Sequence, residues 1–450
     1  MANKADDFQK LIDRIEKTNN TFHGILSRDP RQLVITPDFK SKIDSIIGRN
    51  ERLLKKLMSK EFEIAVVGLE KAGKSTVSNA LLGVNILPAK AERCTFVRTE
   101  IRAGIENRAE VEFYSPEEFN RNFASLLREL GYKDCTLSEF SWDDFREFWE
   151  GVEQKDPSKY REFTCTTVPD LEAMASNKGD ILPYLGTGTR SFSKEEIRTS
   201  DFRKFITGFK AVGEDGYSVR GAFTYAVKGV TLRSKDIAAD MKTAVVLDVP
   251  GIDSSSHPYR EQIEKALGSA DAIIFVTNVG CRPNLCDYQV RVLRKCEADC
   301  DGIMLSDKTI VFGNKLDMAG TRDNASKNMD VLKNEVTRCY QIARPDRVIF
   351  GSAAAYMMEE KLGMAVPAER ADAIVRNTKL FNNGSTGIPE LKKVLRDYYD
   401  NDRLGAIECR ASGNEKQGRK ILGEIMEKGK SSEVADAELL SEIKDALAKI

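Results

Sequence analysis

The sequence predicts an α/β fold: a mostly parallel sheet flanked by helices, with an additional helical bundle drawn from both termini. Three observations predict it. The apolar run Phe62 to Val67 leads into Gly68-Leu-Glu-Lys-Ala-Gly-Lys-Ser-Thr76 and then into a helical pattern over Val77 to Leu82, which gives a strand, a glycine-rich loop and a helix. Further on, short apolar segments alternate with amphipathic ones, the pattern of parallel strands joined by crossover helices. At both ends of the chain the apolar residues recur at helical spacing.

Composition limits the function classes. Lys plus Arg is 69 and Asp plus Glu is 70, so bulk charge does not drive nucleic-acid binding. Met1 to Arg14 lacks the apolar core of a signal peptide, and no apolar stretch approaches the ~20 residues of a membrane span, so a cytoplasmic protein is expected. Nine scattered cysteines imply free thiols. Cys281, Cys286, Cys296 and Cys300 do not have a familiar zinc spacing, and Cys286 sits where a helix N-cap belongs; they read as ordinary thiols.

Taken in order, residues 1–60 read as helices, with stripes at Phe8, Leu11, Ile12, Ile15 and again at Ile43, Ile46, Ile47, Leu54, Leu57. The core domain is expected over 61–405. Residues 115–220 read as a long, mainly helical insertion with helices near 116–131, 137–153, 157–177 and 194–209, and with a break at Gly186 to Arg190. Its Phe140, Trp142, Phe145, Phe148 and Trp149 read as core rather than as a ligand platform. Strands are expected over the second half of Glu92–Gly104, Glu110–Tyr114, 222–234, Thr243–Leu247, Ala270–Val276, Thr309–Phe312 and Val348–Phe350, with helices over 259–268, 286–300, 322–342 and 388–399. Residues 406–450 return to helix, with stripes at Ile421, Leu422, Ile425, Met426 and at Leu440, Ile443, Leu447, Ile450. The terminal helices are expected to pack together, and the stripe reaching Ile450 suggests a helical region that continues beyond this sequence.

Four separated pieces point to one ligand. In the P-loop, Gly68 and Gly73 allow the tight turn that aims backbone N–H groups at phosphate oxygens. Lys74 reaches the terminal phosphates, Ser75 ligates Mg²⁺, and Glu70, Lys71, Ala72 and Thr76 complete the loop. Asp248 ends a strand and holds the Mg²⁺ shell through water, while Gly251 offers an N–H to the γ-phosphate. In Asn314-Lys-Leu-Asp317, the Asp317 carboxylate accepts from the ring N–H and the exocyclic amine of guanine, which adenine lacks, and Lys315 lays its stem over the purine. Ser352 and Ala353 are expected to give a backbone N–H to the guanine carbonyl oxygen. GTP and GDP are therefore the expected ligands and Mg²⁺ the expected cofactor.

Together with Thr95, these motifs look like a translation-factor-class GTPase. Gly68 to Thr76, Asn79-Ala-Leu-Leu-Gly83, Leu87-Pro88 and Cys94-Thr-Phe-Val-Arg-Thr-Glu-Ile-Arg102 resemble bacterial dynamin-like proteins, most closely the LeoA type, over roughly residues 60–400. The resemblance implies a P-loop NTPase fold, slow GTP hydrolysis, self-association through the GTPase domain, and a membrane surface as partner with peripheral attachment. The flanking helices then correspond to a neck and the start of a stalk. Thr95 aligns with the switch threonine that meets Mg²⁺ and the attacking water, with Thr99 as the fallback and an ordinary strand-edge threonine as the plain alternative.

The residue that orients water is the open question. Ile252 stands where small GTPases carry a Gln and cannot do it. Dynamins use a Gln and a Ser inside the P-loop, and here these positions are Glu70 and Lys71. The resemblance makes Glu70, Lys71 and Thr95 the catalytic candidates, with the Lys71 ammonium standing in for a monovalent cation or, alternatively, forming a solvated pair with Glu70. Arg93 is a further cation candidate. His257 is a γ-phosphate sensor or a plain loop residue. A scaffold with negligible turnover and a monomeric regulatory GTPase without a membrane role are the alternative functions.

Overall fold

The computed structural model describes residues 2–28, 35–59, 61–69, 71–87, 97–164, 167–207, 209–212, 218–249, 251, 263, 266–281, 283, 285, 290, 293–294, 305–364, 366–430 and 437–449. Glu70, Arg93, Thr95, Ile252, His257, Cys286, Cys296 and Cys300 lie outside the described residues. The chain divides into two compact units. The first is Met1–Phe62, Glu297–Asp307 and Arg396–Ile450; the second is Glu63–Cys296 and Lys308–Leu395.

The labelled elements run as follows in chain order. They are α1 (Ala2–Arg28), α2 (Pro37–Ser59), β1 (Phe62–Gly68), α3 (Lys74–Leu82), β2 (Thr99–Ala103), β3 (Arg108–Phe113), α4 (Pro116–Leu130), α5 (Trp142–Lys155), α6 (Pro157–Thr164), α7 (Val168–Ser176), β4 (Thr189–Ser193), α8 (Ser200–Thr207), β5 (Phe209–Val212) and β6 (Ser218–Arg220). After these come β7 (Val227–Ser234), β8 (Ala244–Asp248), β9 (Ala272–Asn278), β10 (Thr309–Asn314), α9 (Arg322–Asn334), β11 (Val348–Phe350), α10 (Ala353–Glu359), α11 (Ala368–Phe381), α12 (Ile388–Asp397), α13 (Arg403–Lys430) and α14 (Ala437–Lys449).

In the second unit, strands buried on both faces carry near-continuous apolar runs, as Ile64 to Val67, Ala244 to Leu247 and Ala272 to Val276 do. Among the described residues the sheet has nine strands in the order β11-β10-β9-β1-β8-β2-β7-β3-β4. The pairs β11–β10, β10–β9, β9–β1 and β2–β7 are parallel, whereas β2–β8, β7–β3 and β3–β4 are antiparallel. The parallel register sets Gly68 beside Val276, Asn314 beside Asn278 and Gly313 beside Phe350, so the carboxyl ends of four neighbouring strands lie level. Ligands of such sheets bind beyond that edge.

The sheet is wider than the sequence pattern suggests. The expected break at Gly186 to Arg190 is instead an entry turn: Gly186 and Gly188 take φ +75° and +76° and deliver the chain into β4, which pairs with β3 at the sheet edge. The expected strand over 222–234 starts only at Val227, because Phe223–Ala226 is a short 3₁₀ turn that turns Tyr225 toward Asp170, with a 2.5 Å hydrogen bond from the phenol to the carboxylate. The helix expected over 322–342 is α-helical to Asn334 and continues as a π turn to Cys339.

The first two helices after β3 start at identifiable caps, Ser115 and Ser141. At α4, Ser115 Oγ accepts from the Glu118 N–H at 3.1 Å and the Glu118 carboxylate accepts from the Ser115 N–H at 3.2 Å, a reciprocal capping box. The Ser115 N–H first, and then the Lys228 ammonium, hold the Glu118 carboxyl below the usual carboxylate range. Phe123, Phe140, Phe145 and Trp149 are buried, and edge-on contacts such as Phe123–Phe140 at 5.4 Å make them the local core.

In the first unit the amphipathic stripes find each other. One apolar cluster joins Phe22 and Ile25 of α1 with Ile43, Ile46 and Ile47 of α2, Ile421, Leu422 and Ile425 of α13, and Leu439 and Ile443 of α14. A second joins Leu11, Ile15, Leu53, Leu57, Ile407 and Ala411. Between them, in sequence, α1, α2 and α13 carry a polar layer. The Asn414 amide donates to Asn50 at 2.8 Å and the Asn50 amide to Asn19 at 2.9 Å. Arg14 grips Glu415 through two bonds of 2.8 and 2.5 Å. No helix among the described residues is long and apolar enough to cross a membrane.

Candidate functional site

The site is built on the turn between β1 and α3. Gly68 has φ +150°, and a Cβ there would stand 2.0 Å from the Val276 carbonyl oxygen of β9. Gly73 has φ +93°, and its Cβ would meet Asn314 Nδ2 at 2.5 Å. Both positions therefore require glycine, one because the neighbouring strand is in contact and the other because Asn314 is. Between them Lys71 adopts φ +60°, a left-handed conformation uncommon for a side-chain-bearing residue.

The buried Lys74 ammonium curls back onto its own loop, donating to the Leu69 carbonyl at 2.9 Å and the Gly68 carbonyl at 3.3 Å. This places the charge inside the loop's concavity, where phosphate oxygens compete well for it. Ser75 Oγ donates to Asp248 Oδ2 at 2.8 Å, with both side chains buried. A hydroxyl and a carboxylate held together at the start of α3 form a hard oxygen donor set, and this fits Mg²⁺. Gly251 is buried three residues beyond Asp248. Thr99 lies opposite Asp248 across the β2–β8 pair, and its hydroxyl donates to the Val97 carbonyl at 3.3 Å. Thr76 is half-buried in the first turn of α3.

The loop after β10 locks onto the phosphate loop. The Asn314 side chain, 3% exposed, donates to the Ala72 carbonyl at 2.9 Å and accepts from the Ala353 N–H at 3.0 Å. Lys315, itself left-handed at φ +63°, donates from Nζ to the Lys71 carbonyl at 2.6 Å. Asp317, half-buried, follows in a 3₁₀ turn over Leu316–Ala319. The Leu316 N–H donates to the Gly351 carbonyl at 3.1 Å, which joins this turn to the end of β11.

Two details add to the expected site. The N–H groups of Ser352 and Ala353 are both engaged within the protein, to the Thr386 carbonyl at 2.9 Å and to Asn314 Oδ1. Asn314 is a strut between the phosphate loop and the Ser352 turn. Asn79 was not among the expected site residues, yet it is fully buried, and its Oδ1 accepts from the N–H groups of Ile86 and Leu87 at 3.2 and 3.0 Å. It fixes the chain that leads out toward the Thr95 segment; a polar Asn inside an apolar helix face was the available signal.

Fold and site together define a P-loop type of α/β domain whose glycine-rich loop is tied to the Asn314–Asp317 loop. Residues 64–282, just under half of the chain, match the family model described as the dynamin family. A bacterial dynamin-like protein of Nostoc punctiforme is 40% identical over 73 residues, which are 15% of this chain and 10% of that protein. A solved structure described as an oligomerised bacterial dynamin pair, with a mechanism for long-range sensing and tethering of membranes, has 15% identity and a TM-score of 0.46, covering 96% of this chain and 57% of the other. The LeoA bacterial dynamin GTPase from ETEC has 10% identity and a TM-score of 0.34, covering 94% and 50%. The chain spans about half of those structures, and over residues 64–282 it is similar to the dynamin family.

Proposed function

We propose that this chain binds GTP with Mg²⁺ and hydrolyses it to GDP and phosphate, with nucleotide-dependent self-association through residues 61–405 and peripheral attachment to a membrane. Residues 1–60 and 406–450 then act as the helical neck, and the helical stretch of about 115–220 is an insertion in the GTPase domain. One observation supports the reading: hydrogen bonds Ser75–Asp248, Asn314–Ala72 and Lys315–Lys71 join the Gly68–Thr76 loop to Asp248 and to the Asn314–Asp317 loop.

In this reading Gly68, Glu70, Lys71, Ala72, Gly73, Lys74, Ser75 and Thr76 hold the phosphates, and Gly251 gives its N–H to the γ-phosphate. Ser75, Thr95 and Asp248 hold the metal, which when bound neutralises charge between the β- and γ-phosphates. Asp317 reads the base, Lys315 covers it, and Asn314, Ser352 and Ala353 frame it. Thr95 positions the water, and Glu70 and Lys71 supply the remaining catalytic groups. Supporting a role for Lys71, its left-handed backbone sits at the mouth of the loop with its side chain exposed. Turnover measured in Na⁺, K⁺ and choline buffers tests this; the proposal expects equal rates, and dependence on the monovalent ion sinks the Lys71 role.

A scaffold that binds GTP with negligible turnover is the second reading, favoured by Ile252 in the position of a water-orienting Gln. Steady-state turnover set against GTP affinity separates the two. Light scattering with GDP and with a transition-state mimic separates both from a monomeric regulatory GTPase.

A further inference from the structure

Three helices of the first unit share one repeat. Buried residues recur at alternating steps of three and four along α1 from Leu11 to Ile25, along α2 from Ile43 to Leu57 and along α13 from Ile407 to Ile425. That is the seven-residue repeat of a coiled coil. Such a repeat covers its apolar side chains nearly as well after one helix slides by seven residues, about 10 Å along the axis. What a slide breaks is the polar step in the middle of each stripe: Thr18 in α1, Asn50 in α2 and Asn414 in α13. The Asn414 amide donates to Asn50 at 2.8 Å and the Asn50 amide to Asn19 at 2.9 Å. Beside them Glu415, 6% exposed, accepts from Arg14 at 2.8 and 2.5 Å and from the Thr18 hydroxyl at 3.4 Å. Asn414 Oδ1 is buried and accepts no hydrogen bond among the described residues, so an apolar filling of the same shape would cost less. The layer therefore has a use other than stability. A slide of α1 by seven residues brings Ile12 or Leu26 to the place of Asn19, and the Asn50 amide then faces an apolar side chain. It also brings Asp7 or Thr21 to the place of Arg14, so the buried Glu415 meets a second carboxylate or loses its cation. Phe22 leaves Gly418, where a Cβ would stand 2.2 Å from the ring.

We propose that this polar layer is a register lock: it holds α1, α2 and α13 in one of the registers that their repeat would otherwise permit, so that the three helices move as one body. The apolar clusters on either side supply the stability, and the layer supplies the choice among registers. A buried Asn at a core position acts in this way in two-stranded coils; here three helices share the task, and the Arg14–Glu415 pair adds a charge match. α13 follows directly on the π turn Tyr398–Asp402, so a displacement entering at Arg403 is carried to α1 and α2 instead of being lost in shear. The inference is independent of the nucleotide reading.

The test uses the full chain with p-acetylphenylalanine in place of the exposed Lys10 and Lys428, spin-labelled at the ketones so that the native cysteines stay unmodified. Pulsed electron resonance reads the distance between the labels on α1 and α13. The wild-type sequence is expected to give one distance. One variant combines Arg14→Met, Asn19→Leu, Asn50→Leu, Asn414→Leu and Glu415→Leu. It is expected to unfold at the same or higher urea concentration and to show a second distance displaced by about 10 Å. Ile15→Ala loosens the apolar packing and spares the layer, so it is expected to unfold at lower urea while keeping the single distance. A combined variant that holds only the native distance overturns the lock, as does a second distance in the wild type or in Ile15→Ala. Where the combined variant does not fold, charge reversal decides. Arg14→Glu sets a carboxylate against Glu415 and is expected to populate the displaced distance, and adding Glu415→Arg is expected to restore the single one. The native distance alone in Arg14→Glu overturns the lock.

Discussion

Asn314→Ala separates a structural strut from a base contact, because only a strut affects the nucleotide-free protein. The substitution removes one donor and one acceptor from a buried place. It strands the Ala72 carbonyl and the Ala353 N–H, whose residues are 2% and 0% exposed. Each stranded buried group costs about 1–3 kcal/mol. With partial relaxation of the two loops, a loss of about 2–4 kcal/mol is expected, and in a cooperative unit this large that lowers the thermal midpoint by roughly 3–6 °C. Asn314→Asp is the control. It keeps the acceptor for Ala353 but sets a carboxylate oxygen against the Ala72 carbonyl, so its loss is at least as large. The assay is thermal unfolding without nucleotide, followed by GDP titration. An Asn314→Ala protein that melts within about 1 °C of wild type while losing nucleotide selectivity would refute the strut.

Three further outcomes follow from the geometry. Lys74→Ala removes the ammonium from the loop's concavity and is expected to weaken GTP binding at least about a hundredfold, as charge-assisted contacts to two phosphates disappear; unchanged GTP affinity would falsify the phosphate-loop assignment. Gly418→Ala should destabilise the helical unit by about 1–3 kcal/mol in urea unfolding although alanine is the better helix former, because its Cβ would stand 2.2 Å from Phe22 Cζ and Phe22 is fully buried. Phe22→Leu should recover part of that loss in the double variant. Asn50→Ala strands both Asn19 and Asn414 and is expected to cost about 2–4 kcal/mol, whereas replacing all three asparagines by Leu should be neutral or stabilising; a harmless Asn50→Ala would show that the polar layer is slack.

The legible parts of this chain are those whose physics is local. A strand, a glycine-rich turn and a helix fall within Phe62 to Leu82, and Gly68 and Gly73 take the positive φ of +150° and +93° that the turn needs. The terminal helices were legible as stripes that must be covered, and they cover each other. β4 was not legible: in Thr189–Ser193 only Phe192 is buried, so no period-two pattern exists, and the strand is held by pairing with β3. Nor was the turn at Phe223–Ala226, since Tyr225 is drawn to Asp170 from 55 residues away. At the site, the residue types were legible but one role was not. Asn314 sits in the Asn-Lys-x-Asp motif, yet its partners lie 242 and 39 residues away, and only the folded chain brings them to its two ends. Glu70, Thr95 and Ile252 lie outside the described residues.

The measurement closest to the central claim is Mg²⁺-dependent phosphate release from GTP and from ATP, by the wild-type chain and by Asp317→Asn. The account predicts release from GTP well above a Lys74→Ala background, little from ATP, and loss of the GTP reaction in Asp317→Asn. Equal rates with ATP, or a GTP rate that Asp317→Asn leaves untouched, would contradict it.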